Sequence, residues 1–455
     1  MNKQLLLILL QLSCVSCTWH EIYYIDQLSN VAPNGFNKLT LPGKPSMLTD
    51  TSKKNLLSSL KKSDKKHSTN TLLSSPEKKN VPLFKTFPAL QSSIPWIKLG
   101  DLPTPITHLT KLGKILNNNS LYIKRDDLAG MLNRQTGKRA WGGNKVRKLE
   151  FILADALAHD AKEILTFGMA GSNFVAAIAA YAHQLGLNCI GMLKPQPYAF
   201  CVRNNLLYDL AHNTTLHLYP TVDQRASASV EKFLMMYEKN HRFPYVVPTG
   251  GSNIAGTLGF VNAVFELKEQ IKQGLMPEPD FIYIACGSYG SAAGLLVGIH
   301  AAQLKTKVVA VAIESGEQPQ QCIVGIQQLA NATNNFLYNL GKKFPKKQWS
   351  IDEIIVERNF IGGGYGKFTK EGMHALQQMH QHEEILLDGT YTGKAFAALI
   401  HALQHDPAKK NAVILFWNTY TNQDFKQHVA ADYKKLPKEL HRFFEHDVQQ
   451  FDWKP

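Results

Sequence analysis

The stretch Trp141-Gly-Gly-Asn-Lys-Val-Arg-Lys-Leu-Glu150 sets an amine directly behind a tight turn. Gly142 and Gly143 allow the backbone to bend sharply and to approach a ligand closely. Asn144 is an N-cap residue type, and from Val146 onward the apolar residues Leu149, Ile152, Leu153 and Ala156 recur at helical spacing. Lys145 therefore falls in the first helical turn, beside the positive end of the helix dipole. That position is expected to lower its pKa, as a nucleophilic amine requires. A surface lysine would use the same letters. A Walker phosphate loop would not, because Asn144 precedes Lys145 where glycine is needed, and no Ser or Thr follows.

A second chemistry-bearing stretch is the strand-like Phe281–Ala285, followed by Gly287-Ser-Tyr-Gly-Ser291 and a helix start at about Ser291. Backbone N–H groups of such a turn, with a helix N-terminus behind them, form an anion site. Gly287-x-x-Gly290, with Glu314 ending the next strand, also imitates a dinucleotide fold, although the full G-x-G-x-x-G spacing is missing. Gly168-Met-Ala-Gly-Ser-Asn173 reads by itself as a strand-to-helix cap by Ser172 or Asn173. Pro248–Gly256 reads as a loop and a capped helix. Tyr365 in Gly362–Gly366 and Tyr391 in Asp388–Lys394 are tyrosines in glycine-rich turns, which packing alone can explain.

Taken together, Lys124-Arg-Asp-Asp-Leu128, Gly142–Phe151 and Ala154-Asp-Ala156 resemble the signature of pyridoxal-phosphate enzymes of the tryptophan-synthase-β type, fold type II. More narrowly, they resemble the subgroup of D-cysteine desulfhydrase and 1-aminocyclopropane-1-carboxylate deaminase. The resemblance runs from about Ile94 to Trp417 and takes in five separated motifs in the family's order. It implies that Lys145 holds pyridoxal 5'-phosphate as a Schiff base and later serves as the base at Cα. It places the cofactor phosphate on Gly287, Ser288, Tyr289, Gly290 and Ser291. It assigns the ring's phenolic oxygen to Asn173, the ring nitrogen to Thr392 or Thr419, and substrate orientation to Ser172. Tyr365 and Tyr391 would flank the substrate and protonate or position the departing group.

The deaminase pattern has glutamate where this chain has Thr392. A carboxylate there supports a protonated pyridinium, whereas a hydroxyl leaves the ring nitrogen neutral or weakly bonded, which suffices when a thiolate departs from Cβ. The resemblance thus implies β-elimination from a small amino acid, D-cysteine giving pyruvate, ammonia and sulfide, in a homodimer. The deaminase, a catalytically silent binding module and a nicotinamide-dependent oxidoreductase remain as alternatives. Four side chains depart from the family pattern: Gly171 and Phe174 stand where polar groups are usual, and Tyr420 and Thr421 stand where glycines are. Met131–Ala140 resembles an insertion.

The elements that must position these residues alternate. Strand patterns at Leu121–Lys124, Glu163–Phe167, Leu187–Leu193, Leu216–Tyr219, Tyr245–Val247, Phe281–Ala285 and Val308–Ile313 are each followed by a helical pattern. This implies a two-domain α/β fold with parallel sheets covered by helices on both faces. A large cofactor-binding domain is expected over 88–147 and 249–455, with a small α/β domain inserted at 148–248.

Ahead of this, 18–87 reads as a low-complexity basic linker that cannot bury enough apolar surface to order itself, with a short helix near Asn55–Leu60. Ten lysines between Lys44 and Lys85 face three acidic residues, half of the net charge of +14, so nucleic-acid binding is not needed to explain the basicity. Residues 1–17 read as a signal-like segment, too short to span a bilayer, which makes export the expectation and a cytoplasmic location the alternative. The six cysteines are scattered, giving neither a zinc pattern nor a disulfide framework.

Overall fold

The computed structural model describes residues 73–240, 242–314, 320–421 and 432–451. The signal-like segment and the helix expected near Asn55–Leu60 lie outside them. Order begins earlier than the linker boundary at residue 87. After a 3-10 turn at Pro76–Asn80, helix α1 (Pro82–Thr86) buries Leu83 and Phe84. The Leu83 N–H donates to Asn262 Oδ1 at 2.9 Å, and the Phe84 ring meets Phe151 edge-on at 6.3 Å. Lysine-rich composition hides this apolar triplet of Val81, Leu83 and Phe84, all of which are buried.

The alternating elements follow the expected order. They are β1 (Ile106–His108), α2 (Thr110–Ile115), β2 (Leu121–Arg125), α3 (Lys145–Ala158), β3 (Glu163–Met169), α4 (Asn173–Gln184), β4 (Asn188–Lys194), α5 (Phe200–Ala211), β5 (Thr215–Leu218), α6 (Val222–Asn240), β6 (Tyr245–Val247) and α7 (Ile254–Lys272). Then come β7 (Phe281–Cys286), α8 (Gly290–Ala302), β8 (Lys307–Ala312), α9 (Gln321–Leu340), β9 (Ile355–Glu357), α10 (Lys370–Glu383), α11 (Thr392–His405), α12 (Pro407–Lys410), β10 (Ile414–Asn418) and α13 (Arg442–Glu445). Six strands form one sheet in the order β1-β2-β10-β7-β8-β9, and four form another in the order β5-β4-β3-β6. Among the strands of the described residues, only β1 runs antiparallel, against β2. The central strands β7 and β10 are almost wholly apolar, as strands covered on both faces must be. The Met131–Ala140 stretch closes on itself through an antiparallel bridge between Leu132 and Arg139.

Where β2, α3, α7 and β10 meet, four charged side chains are buried together. Arg147 donates from Nε and Nη2 to Asp126, and from Nη1 and Nη2 to Glu266, all at 2.8–2.9 Å. Lys124 Nζ reaches Glu266 Oε1, Gln270 Oε1 and the Thr104 carbonyl, each at 2.6 Å. Trp417 Nε1 adds a bond of 2.7 Å to Asp126. Two cations balance two carboxylates, and the surrounding hydrogen bonds take up the remaining donors. Burial alone would raise the Glu266 pKa, but Arg147 and Lys124 outweigh it and hold the group at about 2, against an ordinary 4.5.

Removing one member leaves the others charged and unpaired, so Arg147→Met is expected to cost about 3–5 kcal/mol in urea unfolding. Glu266 stabilises the fold fully above pH 4.5, and this contribution is lost as pH falls toward 2. An Arg147→Met protein with unchanged unfolding midpoint would contradict this account.

Candidate active site

Gly143 has φ +79°, and a side chain there would press within 3 Å of the Thr419 and Tyr420 carbonyl oxygens, at 2.9 and 2.8 Å. The turn is fixed by three backbone donors: Gly143 N–H to Asp126 O at 2.8 Å, Asn144 N–H to Thr419 O at 3.3 Å, and Gly142 N–H to Thr421 Oγ1 at 3.1 Å. Thr421, a departure from the family pattern, thus takes up a peptide donor that a glycine would leave to something else.

Asn144 does not cap the helix with its side chain, contrary to the expectation from its type. It is itself helical, at φ −60° and ψ −17°, and its carboxamide points sideways. Nδ2 donates to Ser291 Oγ at 3.0 Å, and Oδ1 accepts from Lys145 Nζ at 2.6 Å. One residue therefore joins the amine motif to the glycine loop. The Lys145 pKa is lowered to about 8 by burial, with Asp388 and Asp126 pulling it back up. Desolvation, rather than the expected helix dipole, is the main cause.

The glycine loop runs from Gly287 to Ser291, and α8 begins at Gly290. Tyr289 carries φ +69°, unusual for a residue with a side chain. Ser252 Oγ donates to Ser288 Oγ at 2.8 Å and accepts from the Gly290 N–H at 3.3 Å. Beneath the loop lies Lys148, which the sequence reading overlooked. Its Nζ donates to Gly250 O at 3.0 Å, and it sits 3.0 Å from where a Gly290 side chain would begin. Burial, and then the charge of Lys145, lower its pKa to about 7. The signal was present, since residues three apart share a helix face.

Ser172 is the N-cap of α4, its Oγ accepting from the N–H groups of Phe174 and Val175, both at 3.3 Å. The hydroxyl proton remains available to donate. Asn173 follows, and its Oδ1 accepts from Asn205 Nδ2 at 2.8 Å, which turns its NH2 away from Asn205. The two departures beside this pair have packing reasons. A side chain at Gly171 would meet Val202 at 2.7 Å, and Phe174 is buried among core residues of α3 and α4, against Gly251.

Tyr391 and Tyr365 meet hydroxyl to hydroxyl at 2.5 Å, and the Tyr391 ring centre lies 5.5 Å from Lys145 Nζ. Burial pushes the pKa of both phenols upward, so both stay protonated. The buried Asp388 carboxylate holds this turn by accepting from the N–H groups of Thr390, Tyr391 and Thr392, at 2.9–3.1 Å. Thr392 Oγ1 donates to Asp388 Oδ1 and accepts from the Asp388 N–H, each at 2.7 Å. Thr419 is buried at the end of β10. Lys394 grips the Tyr365 loop from below, donating to Ile361 O at 2.7 Å and Gly364 O at 3.0 Å. Lys145, Asn144, Lys148, the 287–291 loop and the tyrosine pair therefore converge; Ser172 and Asn173 come from the other sheet.

A family model described as "Pyridoxal-phosphate dependent enzyme" matches residues 97–419, and the chain belongs to that family. D-cysteine desulfhydrase of Klebsiella pneumoniae subsp. pneumoniae is 34% identical over 332 residues, covering 71% of this chain and 93% of that protein. The protein of the same name from Klebsiella pneumoniae (strain 342) matches with the same identity and coverage. A solved structure described as an ACC deaminase homologue superposes with a TM-score of 0.62 at 28% identity, covering 79% of this chain and 99% of the other.

The protein is thus a pyridoxal-phosphate-dependent enzyme of fold type II, which replaces the dinucleotide alternative for the glycine loop. The residues present fit the cofactor: an amine with a depressed pKa, and, one helical turn on, a buried ammonium under a helix N-terminus that suits a phosphate.

Lys148→Met is expected to weaken retention of pyridoxal phosphate about 10- to 100-fold, the worth of one charge-assisted hydrogen bond. Binding of pyridoxal, which lacks the phosphate, should change little. Equilibrium dialysis with both compounds distinguishes the two, and equal losses would mean that Lys148 does not act on the phosphate.

Proposed function

We propose that this enzyme carries out β-elimination on a small amino acid with a good leaving group at Cβ, with D-cysteine as substrate and pyruvate, ammonia and sulfide as products. The observation that carries the reading is the Lys145 amine, bonded through Asn144 to the glycine loop and facing a pair of protonated phenols. The D-cysteine desulfhydrase relatives support the choice of substrate. When bound, pyridoxal phosphate supplies the electron sink for charge developing at Cα.

The chain's residues take the remaining roles. Lys145 removes the Cα proton; a base with a pKa of about 8 suits neutral pH. The 287–291 loop and Lys148 hold the phosphate. Ser172, whose acceptor side is engaged by its helix, donates its proton to the substrate carboxylate. Asn205 turns Asn173 so that its NH2 serves the ring's phenolic oxygen. Tyr365 and Tyr391, kept neutral by burial, position the departing thiolate by donating hydrogen bonds to it or protonate it as it leaves. Thr392 has given its proton to Asp388 and one lone pair to the Asp388 N–H, so it offers the ring nitrogen the other lone pair. As a neutral acceptor it holds a ring proton less firmly than the carboxylate of the deaminase pattern would, in line with the weakly bonded ring nitrogen expected of a hydroxyl there. Thr419 is the alternative partner there.

The ACC deaminase homologue motivates a second reading, deamination of 1-aminocyclopropane-1-carboxylate, which threonine at 392 disfavours. Assembly as a homodimer, the division into domains at residues 147 and 248, and export by the first 17 residues belong to the same proposal. Among the described residues, no helix is long and apolar enough to cross a membrane.

Purified enzyme is expected to release sulfide and pyruvate from D-cysteine, with L-cysteine and the cyclopropane slower. Lys145→Ala should lose the visible cofactor absorbance and at least about 10³-fold in turnover. Release of 2-oxobutyrate in preference to sulfide would select the deaminase. The rate of cofactor capture by apoenzyme should rise with pH and level off above about 8, as Lys145 loses its proton. A rate still climbing at pH 10, where an ordinary lysine titrates, would sink the claim of a tuned amine.

A further inference from the structure

The segment 432–451 lies beyond the family match, which ends at residue 419. It is nonetheless built into the fold. Leu436, Leu440 and Phe443 are buried with Val175, Val202 and Leu206 of α4 and α5. Arg203 fastens its end, donating to Phe443 O at 2.9 Å and His446 O at 2.7 Å, while the Tyr198 ring stacks on His446 at 4.9 Å. From that anchorage Gln449 makes three hydrogen bonds to two other segments. Its backbone N–H donates to Tyr198 O at 2.9 Å. Its side chain donates from Nε2 to Gly366 O at 2.8 Å and accepts at Oε1 from the Phe368 N–H at 2.9 Å.

The loop thus held has Gly362, Gly364 and Gly366 at φ +63°, +111° and +70°, so it has little stiffness of its own. Lys394 holds one edge through the Ile361 and Gly364 carbonyls, and Gln449 holds the other. Tyr365 sits between these two clamps.

We infer that Gln449 is a positioning residue. By tying the Tyr198 loop on the small-sheet side to Gly366 and Phe368, it fixes the Tyr365 phenol against Tyr391 and over the reacting centre. This rests on the part given to Tyr365 in the proposed reaction. A carboxamide suits the task because it offers one donor and one acceptor in a single plane, matching a carbonyl and an N–H two residues apart.

The test uses the full chain loaded with cofactor, comparing Gln449→Ala, Gln449→Glu, Tyr365→Phe and the double variant Tyr365→Phe with Gln449→Ala. Gln449→Ala is expected to lower kcat about 10-fold with KM changing less than about threefold, the signature of a misplaced reacting group. Gln449→Glu keeps the acceptor for Phe368 but loses the donor to Gly366, and should recover part of the rate. The double variant should be no slower than Tyr365→Phe alone. Hydrogen–deuterium exchange, read without turnover, should quicken in 361–369 of Gln449→Ala while α3 stays protected. Unchanged exchange with an intact rate, or losses that add in full, would overturn the positioning role alone. Full activity of Tyr365→Phe would overturn it together with the role of Tyr365 in the reaction.

Discussion

The buried group of Lys124, Arg147, Asp126 and Glu266 is the constraint on which the active site depends. Arg147 lies two residues beyond Lys145 on the same helix, so the guanidinium that binds Asp126 and Glu266 also sets the rotation and height of α3. Asp126 spends its carboxylate on Arg147 and Trp417 and its backbone carbonyl on Gly143, the residue that turns the chain into that helix. A hydrophobic contact could stabilise the junction equally well, but it would not fix direction. Five fixed N–H vectors on a guanidinium do. The amine therefore inherits its position from a buried charge network.

The same helix creates an electrostatic tension that Asp388 and Asp126 relieve only in part. Lys145 and Lys148 lie three residues apart, both desolvated, and the charge of Lys145 disfavours that of Lys148. Burial thus penalises the charged form of both amines. An aldehyde that consumes one amine and a phosphate that pairs with the other would remove both penalties at once. The lowered pKa values and the fit of the cofactor would thus have one physical origin, burial of two amines suited to different parts of one molecule.

Much of this was legible in the sequence, because the signals were local. The strand at Tyr245–Val247 was placed to the residue, and the helix after the glycine pair began where the apolar spacing said it should. Roles that depend on remote partners were not legible. Asn144 looked like a cap because short polar residues before helices usually are, yet Ser291, far along the chain, claims its side chain. Asn205 has no sequence mark, since its importance comes from α5 passing Asn173. Phe174 stands where a polar group is usual, but a helix sends adjacent residues in directions about 100° apart, and Phe174 takes the core side. The lysine-rich composition before residue 87 concealed α1 for a related reason, averaging three apolar residues away.

The departures from the family pattern near the end of β10 follow from the same geometry. Where glycines would leave the peptide groups of the Gly142-Gly143 turn to find other partners, Thr421 offers a hydroxyl to Gly142 and the carbonyls of Thr419 and Tyr420 close over Gly143. The Thr421 side chain is thus a support for the turn carrying Lys145. Support given from β10 also connects the amine to the strand whose Trp417 binds Asp126, so the turn is held on two sides by elements that answer to one buried carboxylate. Rigidity at Lys145 and looseness at the glycine-rich Tyr365 loop are then complementary. In the proposed reaction the nucleophile needs one fixed position, and the Tyr365 phenol, on a loop with little stiffness of its own, takes its place from clamps at the loop's edges.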